Sequence, residues 1–394
     1  MGRNKIDAAD VVPRPSREAS TAGPPSRPEL PPVASSSVAS AVIATEDARR
    51  ARATPQIRDV AALAGVSVGT VSNVINHPER VTARTRTLVE DAIAELQFIP
   101  NQQARVIAGL SSDVIGLVVL DTASPFYMGA SRAVEHAVRQ AGHVVMLCNS
   151  ESDVEREREL LTMLAAQRVR GVLLTPADQA DDEGVINIEI PNGLPVVFLD
   201  YEGGPDECSI SVDNVLGARL AVEHLLRQGH ERVAFIGGPP GLRQFTQRSK
   251  GVIDAIVGAG LDPDTALVEV SASGLGVPEG ERAVELLLAG DLPSAIFCGN
   301  DMLAFGAYRG LSRSGIRVPE DVVLIGYDDI DFAQDWVVPI STVRQPIGEL
   351  GSLAAQLLLE HAVGGEAHVH RQIVLTPELV LRASSDQRVR GATV

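Results

Sequence analysis

Short runs of apolar residues, separated by helical stretches, fill the chain from about residue 113 onward. Nearly every position in these runs is apolar, which is typical of parallel strands that are covered by helices on both faces. Two sets of similar size predict two doubly wound lobes, with ligands at the carboxyl ends of the strands. The predicted strands are 114–121, 143–150, 169–176, 195–200, 232–239, 294–301 and 321–329.

A different pattern precedes the strands and predicts three short amphipathic helices. Apolar residues recur at helical spacing from Ile57 to Ala64. We predict Thr54 as the N-cap of this helix, Pro55 as its first residue, and Gly65 as its end. A second helix begins after Ser67, and a third runs from about Thr82 to Leu96. Their predicted buried faces are Val71, Val74 and Ile75, and Leu88, Val89, Ala92, Ile93 and Leu96.

The first two helices and their glycine-containing turn have the arrangement of a helix-turn-helix, which places its second helix in the major groove of DNA. Val68, Gly69, Ser72, Asn73 and Asn76 lie off the apolar face of that second helix. Their short side chains allow a close approach to base edges. The Asn73 amide has the donor and acceptor pair that reads adenine.

Charge is distributed unevenly along the 394 residues, which carry 34 Lys and Arg and 51 Asp and Glu, a net charge of −17. Residues 1–54 hold eight basic and six acidic side chains, 55–110 hold five of each, and 111–394 hold 21 and 40. The acidic excess therefore lies outside the predicted DNA-binding segment. Since salt screens charges over about 8–10 Å, DNA binding is compatible with the acidic remainder.

Composition excludes several other classes of protein. No apolar run is long enough to span a membrane, and the N-terminus has no apolar secretory segment, so we expect a cytoplasmic, nucleoid-associated protein. Cys148, Cys208 and Cys298 are widely separated and indicate neither disulfides nor a metal site. No Gly-x-Ser-x-Gly, zinc-ligand spacing or phosphate-binding loop is present, so we expect no catalytic residues, no cofactor and no enzyme.

These patterns divide the chain into five segments. Residues 1–54 are rich in Pro, Ser and Ala and are predicted to be disordered, with a weakly basic DNA-contacting arm as the alternative. The others are a helix-turn-helix domain at 55–100, a hinge at 101–112, a two-lobed ligand-binding and dimerisation domain at 113–384, and a tail at 385–394. We expect the chain to cross from one lobe to the other near residues 213, 344 and 370.

Two motifs stand out in residues 56–117, IRDVAALAGVSVGTVS and FIPNQQAR. On these motifs the segment resembles the DNA-binding headpiece and hinge of the lactose repressor (LacI/GalR) family of bacterial transcription regulators. The resemblance continues to about residue 384. It implies a three-helix headpiece followed by a periplasmic-binding-protein-like domain of two parallel-sheet lobes. It also implies a transcriptional regulator, expected to repress carbohydrate catabolic or transport genes.

The resemblance assigns roles on DNA. Val68, Gly69 and Asn73 would face bases, while many members of the family have Arg in place of Asn73. An apolar hinge side chain would wedge into the minor groove and kink it, and Ile107 occupies that position here. The remaining implied DNA-binding residues are Ser67 as helix cap, Thr70, Ser72 and Asn76 on phosphates, and Asn101 in the hinge.

The resemblance also implies an effector site between the lobes. Phe126 and Tyr127 would stack on the ligand, and they stand together in a chain with only 3% aromatic residues. The other implied residues are Asp200, Gln244, Arg248, Asn300, Asp301 and Gln345. An Asp and an Arg facing two rings suit a small sugar. A purine or nucleoside is the alternative, although Leu242 and Leu275 replace the Arg and Phe of the purine-binding branch.

Two partners follow from the resemblance, a pseudo-palindromic double-stranded operator and a second copy of the chain. Residues 361–386 contain no heptad tail, which favours a homodimer over a tetramer. The effector would change lobe closure and the hinge, but the sequence does not decide between inducer and corepressor. A sugar-binding transport protein shares the fold, yet it would carry a signal peptide and no helix-turn-helix.

Overall fold

The computed structural model describes residues 5–7, 55–99, 112–177, 188 and 190–386. The chain separates into two compact units, one comprising residues 14–112 and the other residues 1–13 with 113–394. Within the described residues, no helix has both the length and the apolarity that crossing a membrane requires.

The smaller unit contains the three predicted helices, which are confirmed as α1 (Ile57–Ala64), α2 (Val68–Asn76) and α3 (Ala83–Leu96), with a 3-10 turn at Pro78–Arg80. The predicted start of α1 at Pro55 is wrong. Gln56 is the N-cap instead, and its backbone N–H donates to Asp59 Oδ2 at 2.7 Å. Gly65 ends α1 with a left-handed φ of 66°, a conformation that glycine adopts without steric cost.

One small core joins the three helices, and its buried members are Val60, Ala61, Val71, Val74, Val89 and Ala92. Leu88 was predicted to belong to this core, and that prediction is wrong because 47% of the residue is exposed. Leu88 flanks the stripe formed by Val89 and Ala92 on α3.

The first lobe of the larger unit is a six-stranded parallel sheet. Its strands are β2 (Val114–Val119), β3 (Val144–Asn149), β4 (Val172–Leu174), β5 (Val196–Leu199), β6 (Cys208–Val212) and β12 (Gln372–Leu375). They lie in the order β12-β6-β5-β4-β2-β3. The helices are α4 (Pro125–Gln140), α5 (Val154–Ala166) and α12 (Ile347–Gly364), with 3-10 turns at Pro191–Gly193 and Gly365–Ala367. Buried side chains lie against both faces of the sheet, as the uniformly apolar runs predict.

The second lobe is a seven-stranded sheet. Its strands are β1 (Lys5–Asp7), β7 (Val233–Gly237), β8 (Leu267–Ser271), β9 (Ala295–Cys298), β10 (Val323–Asp328), β11 (Ser341–Arg344) and β13 (Glu378–Val380). They lie in the order β1-β8-β7-β9-β10-β11-β13, and all neighbouring pairs are parallel except β11 with β13. Its helices are α6 (Asn214–Arg227), α7 (Arg243–Gly258), α8 (Pro263–Ala266), α9 (Val277–Leu288), α10 (Asp301–Arg313) and α11 (Phe332–Asp335), with a 3-10 turn at Ala383–Ser385.

Residues Lys5–Asp7 correct the prediction that 1–54 is disordered throughout. They pair in parallel with Glu269, Val270 and Ser271 of β8. Without them β8 would be an edge strand, with backbone N–H and C=O groups free to pair with another extended segment.

From β2 onward, the described residues cross between the lobes three times. Two crossings follow β6 at Asp213 and β11 at Gln345, near the predicted positions. The third lies at residues 376–377, between β12 and β13, and not near 370 as predicted, because β12 is the last strand of the first lobe. Strands β6 (CSISV) and β12 (QIVL) were missed, because serines alternate with the apolar residues of β6 and the apolar run of β12 is only three residues long.

Candidate functional site

The first candidate surface is the exposed side of α2. Ser67 caps this helix and accepts a hydrogen bond from the Thr70 backbone N–H at 3.1 Å, as predicted. Val68, Gly69 and Asn73 are exposed and point away from the buried Val71 and Val74. This arrangement leaves the three positions open to a partner.

The predicted phosphate-holding residues have a less open arrangement. Asn76 Nδ2 donates to Ser72 Oγ at 3.3 Å, so each side chain already engages the other one turn away. Asn101 and Ile107 fall outside the described residues, and their assignments stay predictions.

The second candidate site is a cavity between the two lobes, where the carboxyl ends of both sheets meet. Six of the eight predicted residues line it, and both lobes contribute. The lining residues are Ser124, Phe126, Tyr127, Asp200, Gln244, Phe245, Arg248, Leu275, Asn300 and Asp328. Its free volume is about 20 Å³, room for roughly one water molecule. A larger ligand can enter only when the lobes or their side chains move.

Arg248 on α7 is the centre of this cavity. The residue is 3% exposed, and its guanidinium donates from Nε to Asn214 Oδ1 at 2.8 Å and from a terminal nitrogen to the Gly299 carbonyl. The guanidinium carbon lies 3.7 Å from the centroid of the Tyr327 ring, a cation–π contact. Asn214, which fixes Arg248 from the start of α6, was missed in the sequence because its role is only to orient another side chain.

Asp200 supplies a carboxylate from the first lobe. It follows β5 with a φ of 55°, a left-handed conformation that non-glycine residues hold where a site requires it. Tyr127 Oη donates to Asp200 Oδ2 at 3.5 Å, while Oδ1 is buried with no hydrogen-bond partner among the described residues. Burial raises the pKa of Asp200 to about 7, against the opposing effect of the Arg248 charge.

Asp328 supplies the matching carboxylate from the second lobe, at the end of β10 and with a φ of 115°. Gln345 Nε2 donates to Asp328 Oδ1 at 2.7 Å, so Gln345 lies behind the carboxylate and positions it. Burial raises the pKa of Asp328 to about 6, and Arg248 again opposes the shift. The cavity thus presents one permanent cation between two carboxyl groups.

The prediction for Asp301 is corrected by the structure. Asp301 does not line the cavity and is fully buried, accepting hydrogen bonds from Thr342 Oγ1 at 2.6 Å and from the Ile330 backbone N–H at 3.0 Å. A Cβ on Gly326 would lie 2.2 Å from Asp301 Oδ1, so this glycine makes room for the carboxyl group. Asp301 therefore fixes the residues that follow β10, and Asp328, the last residue of β10, lines the cavity instead.

Two family models match the chain. Residues 56–101 match the bacterial regulatory proteins of the lacI family, and residues 222–385 match the periplasmic binding protein-like domain. The HTH-type transcriptional repressor PurR of Aliivibrio fischeri is 33% identical over 344 residues, which cover 85% of this chain and 99% of the relative. The ribose operon repressor of Escherichia coli K12 is 35% identical over 332 residues, covering 84% of this chain and 99% of that protein.

Solved structures give the same result. The lac repressor dimer bound to operator and the anti-inducer ONPF matches with a TM-score of 0.75 and 30% identity, over 84% of this chain and 99% of that one. The transcriptional regulator CelR in complex with cellobiose matches with a TM-score of 0.61 and 33% identity, over 84% and 100% of the two chains.

The raised pKa of Asp200 predicts how the stability of the ligand-free protein depends on pH. Because the folded pKa exceeds the ordinary value of 3.8, this carboxyl group favours the folded state at low pH. That contribution is lost as pH rises through about 7. We therefore expect the melting temperature to fall between pH 5 and pH 8 by less in Asp200→Asn than in the wild type. Asp264→Asn, an exposed site in the same unit, is the control, and an unchanged pH profile in Asp200→Asn would contradict the assignment.

Proposed function

The chain belongs to the lacI family of bacterial regulatory proteins and is a sequence-specific DNA-binding transcription regulator; from this premise we propose that its effector is a small neutral sugar bound between the lobes. The proposal includes repression of carbohydrate catabolic or transport genes from a pseudo-palindromic operator in the cytoplasm. The observation that carries it is the Arg248 guanidinium, flanked by the carboxyl groups of Asp200 and Asp328 beside two aromatic rings.

The donors and acceptors of the cavity match the hydroxyl groups of a polyol. Arg248 is a donor only, ionised Asp200 and Asp328 are acceptors only, and a sugar hydroxyl can bond to either kind of group. The unpaired Oδ1 of Asp200 is costly while buried, and a ligand hydroxyl would satisfy it. Two carboxyl groups against one guanidinium disfavour an anionic ligand such as a sugar phosphate.

The aromatic rings supply the apolar part of sugar recognition. Phe126 and Tyr127 lie edge to face with centroids 5.1 Å apart, and both line the cavity. Such rings cover the C–H face of a pyranose or furanose while the charged groups take its hydroxyls. The ribose operon repressor and the CelR–cellobiose complex, relatives named for sugars, support this class of ligand.

The alternative effector, a purine or nucleoside, has less support in the cavity. Leu275 lines the wall, and Leu242 packs against the apolar cores of both lobes. Neither side chain can bond to the polar edge of a base. PurR is nevertheless about as similar to this chain as the ribose repressor, so purines belong in any ligand screen.

Lobe closure is the proposed means of control. A ligand that contacts Asp200 in the first lobe and Arg248 in the second stabilises one relative position of the lobes, because it bonds to both of them at once. Ligand and operator would then be coupled through two states of the protein, and each would change the affinity of the other by the same factor.

A homodimer completes the proposal, since a pseudo-palindrome offers two equivalent half-sites. The edge strand β3 of the first lobe supports self-association. Val144, Met146 and Leu147 on this strand are 59%, 38% and 39% exposed. An apolar edge strand of this kind is a common pairing surface.

Replacing Arg248 with Ala tests the effector site. We expect the variant to bind an operator selected from a random pseudo-palindromic library with unchanged affinity, and to lose its response to the sugar that shifts the wild type. Fluorescence anisotropy of the labelled operator measures both quantities. Lys250→Ala, an exposed site on the same helix α7, should respond like the wild type. A full response in Arg248→Ala would remove this side chain from the effector site.

Replacing Asn73 with Ala tests base reading by α2. We expect a loss of about 1–3 kcal/mol in affinity for the selected operator and a relaxed preference at one base pair of each half-site. Affinity for unrelated DNA should stay the same, as it should for both DNAs in the control Glu90→Gln on α3. An equal loss on operator and unrelated DNA would instead place Asn73 on the phosphates.

A further inference from the structure

A cluster of one thiol and two imidazoles lies at an edge of the first lobe. Cys208 begins β6, and His368 and His370 precede the neighbouring edge strand β12. Cys208 Sγ lies 3.0 Å from His368 Nε2 and 3.4 Å from His370 Nδ1. The three atoms all lie within 4.8 Å of one another, although 160 residues of chain separate Cys208 from His368.

These distances are close to those of a metal site. Zinc bonds of about 2.3 Å to sulfur and 2.0–2.1 Å to nitrogen place tetrahedral ligand atoms about 3.5 Å apart. The two sulfur–nitrogen distances are already within half an ångström of this value, so a metal would need only small side-chain rotations. One thiolate with two neutral imidazoles is a ligand set of borderline softness, which suits Zn²⁺ better than Mg²⁺ or Ca²⁺.

A third histidine gives an independent indication. His361 lies near the end of α12, with its ring stacked on His368 at a centroid distance of 4.5 Å and edge-on to His370 at 5.3 Å. Its Nδ1 is buried and has no hydrogen-bond partner among the described residues. The rings of three of the eight histidines of the chain thus contact one another, and two of the three lie beside the buried Cys208 thiol.

Burial argues against other uses of this cluster. Cys208 is only 1% exposed, which keeps its sulfur from a substrate and disfavours a thiol nucleophile.

We propose that Cys208, His368 and His370 bind one transition-metal ion, with Zn²⁺ as the best match, while His361 braces the ring of His368. The site lies at the amino ends of β6 and β12, whereas the effector cavity is at the carboxyl ends of the strands. Both strands lead directly to crossovers between the lobes. A bound ion therefore joins the beginnings of two connecting strands without occupying the effector cavity.

Cobalt substitution tests the proposal on the full chain, purified without a histidine tag and stripped of metal. We expect one Co²⁺ per chain and a thiolate-to-cobalt charge-transfer absorption in the wild type. The absorption should be lost in Cys208→Ala and kept in Cys148→Ala, the matched control in β3 of the same lobe. Its absence in the wild type, or its persistence in Cys208→Ala, would overturn the proposal.

Zinc affinity and thermal stability give a second readout. It uses His370→Gln, because His370 is less buried than Cys208. Loss of a residue that only supports a metal ligand lowers metal affinity by roughly 10–100-fold. Because His370 is proposed as a direct ligand, its replacement should lower the zinc affinity by more than this. Zinc at about 100 times its Kd should raise the melting temperature of the wild type by roughly 5 °C and that of the variant by much less. Equal shifts of the melting temperature in both proteins would mean adventitious binding and overturn the proposal. A zinc content below one ion per chain that neither Cys208→Ala nor His370→Gln changes would also overturn it.

Discussion

A guanidinium that is buried between two lobes needs hydrogen-bond partners within the protein, because arginine does not lose its proton at physiological pH. Arg248 imposes this constraint on its surroundings. Asn214 and the Gly299 carbonyl accept its hydrogen bonds, and the Tyr327 ring covers one of its faces. Since these partners come from α6, the end of β9 and β10, one buried charge connects three elements of the second lobe.

The carboxyl groups beside Arg248 extend this arrangement across the cavity. Asp200 and Asp328 both have left-handed backbone conformations and raised pKa values, because burial opposes their ionisation more than Arg248 favours it. Asp200 belongs to the first lobe, so the attraction between it and Arg248 acts directly on lobe closure. A neutral polyol that bonds to both groups would stabilise their charged forms and hold the lobes together.

The sequence predicted the parts of the fold that depend on continuous patterns. Seven long apolar runs became strands, and three amphipathic segments became the helices of the smaller unit. Polar residues break the apolar pattern of shorter strands such as β6, so the sequence did not predict them. Lys5–Asp7 forms a strand only because it pairs with the edge of β8. No local pattern marks such a pairing in advance.

The candidate site was predictable to a similar extent. Strand ends and the family resemblance located six of the lining residues, but Asp301 was assigned to the cavity when it lies beneath it. The distinction depends on Gly326, which leaves space for the Asp301 carboxyl group, and on the end of β10, where Asp328 reaches the cavity. Likewise, the spacing of Cys208 and the histidines has no metal-binding signature, since adjacent strands and not adjacent residues bring them together.

Calorimetric melting of the full chain with a panel of neutral sugars, sugar phosphates, nucleosides and purines tests the central claim most directly. A ligand that binds only the folded protein raises its melting temperature by mass action. The Arg248-centred cavity predicts that a neutral sugar stabilises the protein and that its phosphate ester does not. Stabilisation by a purine alone, or by sugar phosphates in preference to neutral sugars, would contradict the account.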